Sequence, residues 1–219
     1  MKTVVIFSGG LDSTTMLYAL RDQGHELRCI GFDYGQRHRI ELQAAESIAK
    51  MAGIPYQGID LSALGPVIAG QSSQVNPDVE VPDGHYSEES MKATVVPNRN
   101  MIMLSVAVAH AISVDFDAVA YGAHAGDHTI YPDCREVFVD AMRSVIGLCD
   151  WKQVELLTPY LHKSKSEIVL EGATLEVPFG QTWSCYKGGD VHCGTCGTCV
   201  ERKEAFTLAK VSDPTNYLV

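Results

Sequence analysis

The sequence predicts a doubly wound α/β fold, a parallel sheet with helices on both faces, carrying a small C-terminal four-cysteine appendage. Two observations carry the sheet. Short apolar, β-branched runs alternate with helix-compatible stretches up to Asp60, and the first such run empties into the pair Gly9-Gly10. A third observation carries the appendage: Cys185, Cys193, Cys196 and Cys199 crowd into one glycine-rich stretch.

Residues 3–7 (TVVIF) suit a strand buried on both faces, and residues 12–23 suit a helix that stops at Gly24. A second strand is expected over 27–32, a second helix over 37–51, and a third strand ending near Asp60 after the turn Gly53-Ile54-Pro55. Residues 64–93 are rich in Gly, Ser, Pro and acidic side chains and read as a long loop or lid. Order returns with a helix over 98–113 and a strand over 118–121 that runs into Gly122. A helix after Asp133, a strand near 154–157 and a helix from Ser164 follow. The expected organisation is one nucleotide-binding domain over 1–180 with a zinc-binding module over 181–219 packed on it.

Composition narrows the function. Lys plus Arg number 17 against 27 Asp plus Glu, a formal charge of -10, which argues against holding nucleic acid by its phosphates. The apolar run before Ser8 is too short for a signal peptide. The run over 101–112 is interrupted by Ser105 and His110 and is too short for a membrane span. Seven cysteines without a secretory signal favour metal binding in a reducing compartment, so the cytoplasm is expected.

The loop Ser8-Gly9-Gly10-Leu11-Asp12-Ser13 joins a strand to a helix start. Glycines let backbone approach a ligand, the free N–H groups and dipole of the helix favour an anion, and Ser8, Ser13 and Thr14 add hydroxyls. It lacks the Lys of a Walker A motif and the spacing of a dinucleotide fingerprint. A plain tight turn with Asp12 as helix cap is the alternative, but its place after the first strand of an α/β sheet favours phosphate. This loop resembles the signature Ser-Gly-Gly-x-Asp-Ser of the PP-loop ATP pyrophosphatases. That resemblance implies cleavage of ATP between its α and β phosphates. At the second strand end, Asp33-Tyr34-Gly35-Gln36-Arg37-His38 offers Asp33 for a ribose hydroxyl or an amine and Arg37 for a phosphate, with an ordinary βα turn at Asp33-Tyr34-Gly35 as the alternative.

Cys185-x7-Cys193-x2-Cys196-x2-Cys199 offers four soft ligands, with Gly188, Gly189, Gly194 and Gly197 as bends, and is read as one structural Zn²⁺ per chain. An iron–sulfur cluster is the rival. His192 is expected to be a bystander, and Cys29, Cys134 and Cys149 buried small hydrophobes. Candidates for the substrate side are Arg99, Asp127, Tyr131, Asp133 and Arg135, polar groups near strand ends and helix starts. The alternative for these is that Asp133 caps a helix and His124 and His128 are solvated. Lys165, at a helix start, is a candidate to neutralise phosphate charge, with an ordinary surface lysine as the alternative.

Five segments, in order along nearly the whole chain, resemble the 7-cyano-7-deazaguanine synthase family. They are Phe7-Ser8-Gly9-Gly10-Leu11-Asp12-Ser13-Thr14-Thr15, Phe32-Asp33-Tyr34-Gly35-Gln36-Arg37-His38, Val96-Pro97-Asn98-Arg99-Asn100, Tyr131-Pro132-Asp133-Cys134-Arg135 and Trp183-Ser184-Cys185-Tyr186. Leu11 stands where that family often has Gln, and Asn98 where it often has Gly. The resemblance implies conversion of 7-carboxy-7-deazaguanine to the nitrile with ammonia, ATP and Mg²⁺ in a homodimer. It implies catalytic roles for Ser8, Asp12, Ser13 and Lys165. It extends the nucleotide-contacting stretch from Phe7 through Thr15, Met16 and Leu17, with Asp33. A PP-loop ligase or thiolase acting on tRNA, and a non-catalytic nucleotide- or zinc-binding module, are the rival readings.

Overall fold

A computed structural model describes residues 1–85, 91–125 and 131–219. Five strands form one parallel sheet in the order β3-β2-β1-β4-β5: β1 (Lys2–Ile6), β2 (Glu26–Asp33), β3 (Tyr56–Asp60), β4 (Ala118–Ala120) and β5 (Glu155–Leu157). The helices are α1 (Leu11–Asp22), α2 (Ile40–Met51), α3 (Arg99–Ser113), α4 (Glu136–Ile146), α5 (Lys165–Thr174) and α6 (Gly197–Ala209).

Side chains alternate across a strand, so β1 feeds two cores. Val4 joins Ile30, Phe32 and Val119 beneath α3 and α4, against Leu104, Ala107, Val108, Val139 and Met142. Val5 and Phe7 join Leu27, Cys29 and Ala120 on the opposite face, against Leu17 and Leu20 of α1, Ile48 of α2 and Ile168 and Val169 of α5. Burial on both faces is why 3–7 carries no polar alternation. The register sets Val5 beside Cys29 on one side and Ala120 on the other. The chain therefore reverses its winding between β1 and β4. The crevice beyond their carboxyl ends is where open α/β sheets bind ligands.

Several elements begin where the sequence places them. Ser164 caps α5 by accepting from Glu167 N, and Glu167 returns the bond to the Ser164 backbone, a reciprocal capping box. Other expectations are corrected. Residues 37–39 form turns, and α2 starts at Ile40. The tail continues into α6, whose Ala205 and Phe206 enter the second core. Phe206 meets Phe179 edge-on at 5.0 Å, so the metal-binding tail shares its core with the sheet. The segment after residue 64 forms a helical turn at Gly65–Ile68 and then turns. It is tied down by Arg37, whose Nη2 donates to the carbonyls of Asn76, Pro77 and Val79 at 3.0, 3.1 and 2.9 Å. No helix among the described residues is long and apolar enough to cross a membrane.

Candidate active site

The loop from β1 to α1 is shaped by one residue that tolerates no side chain. Gly9 has φ +76, and a Cβ there would stand 2.5 Å from Ala45 N and 2.8 Å from Glu41 O of α2. Its carbonyl accepts from Trp183 N at 2.9 Å. Gly10 is the N-cap of α1 and provides no side-chain cap, so the opening N–H groups of the helix face the cleft. Ser8 Oγ lies 3.2 Å from Ser13 Oγ and accepts from Gly10 N at 3.3 Å, which gathers both hydroxyls at that opening.

Asp12 does not cap α1; it lies in the first turn with Lys165 Nζ at 3.5 Å and His124 Nε2 at 3.8 Å. Burial raises the pKa of this carboxyl, but Lys165 and His124 reverse the effect and hold it below the ordinary value. Its Oδ1 is buried with no hydrogen-bond partner among the described residues. Lys165 also meets Glu201 of α6 at 2.6 Å, so the cation spans the loop and the tail.

The cleft is lined by Phe7, Ser8, Gly10, Leu11, Asp12 and Ser13 from the loop, by Lys165, and by Arg99. Glu41 and Met103, to which the sequence reading gave no role, also line it, as do Tyr121 after β4 and Asn100, Trp183, Ser184 and Tyr186 from the segments that carry the family resemblance. Arg99 starts α3 and donates to Tyr34 Oη at 3.4 Å. Burial opposes its charge, yet the Tyr34 and Tyr186 hydroxyls and the Asp133 carboxylate hold the guanidinium protonated. No carboxylate among the described residues lies within ion-pair distance of it. A partly buried cation with no carboxylate at ion-pair distance among the described residues favours an anionic ligand.

The remaining expected residues lie elsewhere. Thr14, Thr15, Met16 and Leu17 are buried along α1 and do not line the cleft; Thr15 Oγ1 bonds Leu11 O at 3.0 Å within its own helix. Gly9 acts through its backbone, behind the lining. Asp33 sits on the far side of β2 in a groove with Leu42 and Glu46, its carboxylate accepting from Gly35 N at 3.0 Å and paired with Arg39. Tyr131 Oη is 2.8 Å from Thr94 Oγ1, and Asp133 Oδ2 accepts from Asn100 N at 3.3 Å, so Asp133 steadies α3 rather than capping α4. Arg135 is the exposed N-cap of α4. Asp127 and His128 lie outside the described residues.

In the tail, one sulfur from each of Cys185, Cys193, Cys196 and Cys199 lies within 4.8 Å of the others. The closest separations given are 3.9 Å for Cys193–Cys199 and 4.0 Å for Cys196–Cys185. Cys196 N and Thr195 N donate to Cys193 Sγ at 3.2 and 3.4 Å, and Cys193 N donates to Cys185 Sγ at 3.4 Å. Amide donors aimed at sulfur favour the thiolate, the form that binds metal. Gly194 turns the chain at φ +81, whereas Gly197 is no bend but the first residue of α6. His192 is not part of the sulfur group; its Nε2 accepts from Ser184 N at 3.0 Å and its ring lies 4.2 Å from Trp183. Burial pushes its pKa down to about 4. Cys29 and Cys134 are buried as expected, and Cys149 is exposed.

Arg202, fully buried, joins this module to the cleft. It donates to Thr182 Oγ1 at 2.7 Å, Ser184 Oγ at 3.1 Å and Phe179 O at 2.9 Å, and pairs with Asp213 at 3.3 Å. The segment it grips contains Trp183, the residue bonded to Gly9.

Comparison with known proteins agrees with this geometry. The family described as "Queuosine biosynthesis protein QueC" matches residues 2–210. The 7-cyano-7-deazaguanine synthase of Paracoccus denitrificans is 52% identical over 219 residues, covering 99% of this chain and 93% of that protein. The one from Brucella anthropi is 50% identical, covering 99% and 94%. Two solved structures share the fold at low identity. The U34-tRNA thiolase NcsA of Methanococcus maripaludis with its [4Fe-4S] cluster has TM-score 0.53 and 18% identity, covering 96% of this chain and 65% of that one. The NMN synthetase of Francisella tularensis has TM-score 0.51 and 14% identity, covering 96% and 77%.

The crowding at Gly9 gives a stability test against Gly24, which has φ +79 but nothing near its absent Cβ. Gly24→Ala is expected to cost about 1–2 kcal/mol, the left-handed penalty alone. Gly9→Ala adds overpacking and is expected to cost roughly 2–5 kcal/mol, read from urea unfolding midpoints of both variants.

Proposed function

Because this chain belongs to the queuosine biosynthesis protein QueC family, we propose that it is the ligase that converts 7-carboxy-7-deazaguanine and ammonia to 7-cyano-7-deazaguanine at the expense of ATP. The observation that carries this reading is one cleft that holds both an anion-binding helix start and Arg99, which has no carboxylate at ion-pair distance among the described residues. The first suits polyphosphate and the second a carboxylate substrate.

A carboxylate resists ammonia because its charge repels the nucleophile and oxide is a poor leaving group. Transfer of AMP to a carboxylate oxygen, with pyrophosphate released into the Ser8–Ser13 cradle, replaces oxide by a good leaving group. Ammonia then forms the C–N bond, AMP departs and the amide results. Transfer of a second AMP to the amide oxygen, followed by loss of AMP and a proton, gives the nitrile. The chain's part is positioning and charge. Ser8, Ser13 and the α1 amides hold pyrophosphate, Lys165 offsets charge building on the phosphates, and Glu201 and Asp12 hold Lys165 in place. Mg²⁺, when bound, neutralises phosphate oxygens, and the unpartnered Asp12 Oδ1 is the atom that fits it. Adenine and ribose contacts for Thr14 to Leu17 and Asp33 have no support in the cleft lining, so we assign the nucleotide to Phe7–Ser13 instead.

For the tail we infer zinc. Four thiolates about 2.3 Å from one tetrahedral ion sit about 3.8 Å apart, which agrees with sulfurs separated by 3.9 and 4.0 Å. A cluster of several irons would spread them further. All four positions are filled by protein, so the ion is structural, as suits a reducing, cytoplasmic setting. We also infer a homodimer. Val137, Val145, Leu148 and Trp151 are all more than half exposed, along one side of α4 and the turn after it.

Incubation with 7-carboxy-7-deazaguanine, ammonium and ATP is expected to yield the nitrile and AMP by mass spectrometry. Ser8→Ala and Asp12→Ala are each expected to lower turnover by at least about 10²-fold with the fold intact by circular dichroism; full activity in both would reject the loop assignment. Elemental analysis is expected to find one zinc per chain, lost on chelation together with thermal stability, and iron in its place would overturn the zinc reading. Trp151→Glu is expected to shift the sedimentation coefficient from dimer to monomer.

A further inference from the structure

We propose that Glu41 is the residue that reads the base, its carboxylate accepting from the ring N–H and exocyclic amine of the deazaguanine. The assignment rests on the ligase reading above and adds to it the contact that selects the substrate.

Glu41 lies in the first turn of α2 and lines the cleft, with its side chain only 14% exposed. Its Oε1 accepts from Gln36 Nε2 at 3.0 Å and has His38 Nε2 at 3.4 Å. Gln36 is itself fixed: it is buried, its Oε1 accepts from Tyr34 N and its Nε2 also donates to Phe32 O, each at 2.9 Å. The carboxylate is thus held in one orientation by a side chain with nothing left to offer. Oε2 receives no hydrogen bond from any described residue. Beside it, His38 Nδ1 is buried and also without a partner. Burial lowers the pKa of His38, whose Nε2 lies near Glu41 without completing a hydrogen bond to it. Glu41 Oε2 is thus an acceptor in the cleft lining without a donor among the described residues, and leaving it unmet is costly.

The ligand groups sort themselves accordingly. Phosphate and carboxylate are repelled by Glu41 and drawn to the α1 start, Lys165 and Arg99. Adenine offers one amine flanked by a ring nitrogen whose lone pair would face the carboxylate. The 2-amino-4-oxo ring of a deazaguanine offers two adjacent donors, the complement of a carboxylate. Tyr186, 5.1 Å from the His38 ring, and Trp183 supply flat faces in the same lining.

The test compares 7-carboxy-7-deazaguanine with the same base lacking the exocyclic amine, at saturating ATP and ammonium. The wild-type enzyme is expected to prefer the full base by about 10–100-fold in kcat/KM. Glu41→Gln is expected to lose a similar factor on the full base and little on the analogue, so that the preference collapses while the KM values for ATP and ammonium hold. Glu41→Asp, which keeps the charge but withdraws it by one methylene, is expected to retain the preference at reduced rate; metal content and melting profile report folding of both variants. A preference that survives Glu41→Gln, or that Glu41→Asp also abolishes, overturns the assignment, as does a loss that falls on the KM for ATP or ammonium. A wild-type enzyme inert toward both bases removes the ligase reading itself, and the assignment with it.

Discussion

The absence of room at Gly9 is the constraint on which the cleft depends. Backbone of the β1–α1 loop lies against backbone of α2 with no space for a methyl group, and Trp183 N fixes the loop from the other side. Three distant parts of the chain therefore share one reference point: the phosphate cradle, the start of α2 with Glu41, and the tail that holds the cysteines. A shift of any one moves the other two, because the interior is too dense to absorb it. The tail is fixed in turn by Arg202, whose donors are spread over Phe179, Thr182, Ser184 and Asp213. A buried guanidinium so fully engaged repays its desolvation and fixes geometry.

Both signs of charge line the cleft: the α1 start, Lys165 and Arg99 are positive, and Asp12 and Glu41 are negative. Lys165 does not stand alone against Asp12; Glu201 shares it, and His124 approaches Asp12 from β4. Such a network holds each side chain in one place before ligand arrives, so little reorganisation is left for the reaction. The net charge of -10 is no obstacle to binding anions, because the local field at the helix start and at two cations decides the matter.

What the sequence revealed depended on whether function was written locally. The doubly wound sheet was legible because burial on both faces leaves unbroken apolar runs such as residues 3–7. The glycine turn into a helix start was legible because glycines there have few uses other than letting backbone approach a neighbour or a ligand. The cysteines were legible because metal ligands must gather whatever the fold around them. Glu41 was not, and His38 and Trp183 were visible only as members of motif segments, since their roles come from contacts that no spacing encodes; an acidic residue in the first turn of a helix looks like ordinary dipole compensation. Tyr131, Asp133 and Arg135 misled for the converse reason. They are polar and lie near a strand end, but Thr94 and Asn100 take up the first two and the third is exposed at the start of α4. Thr14 through Leu17 read as a continuation of the loop, yet α1 is packed between the sheet and α5, leaving no free side there for a nucleotide. Helix α6 was hidden by the glycines and cysteines that precede its apolar residues.

The two tryptophans of the chain occupy opposite settings. Trp151 is fully exposed, while Trp183 is buried in the cleft lining, its indole N–H bonded to Cys185 O at 2.8 Å and its ring against His192. Replacing Trp151 by phenylalanine would leave a single native fluorophore at the junction of phosphate loop and cysteine module. Its emission would serve as a label-free optical gauge of both events at that junction, ligand arrival and metal departure.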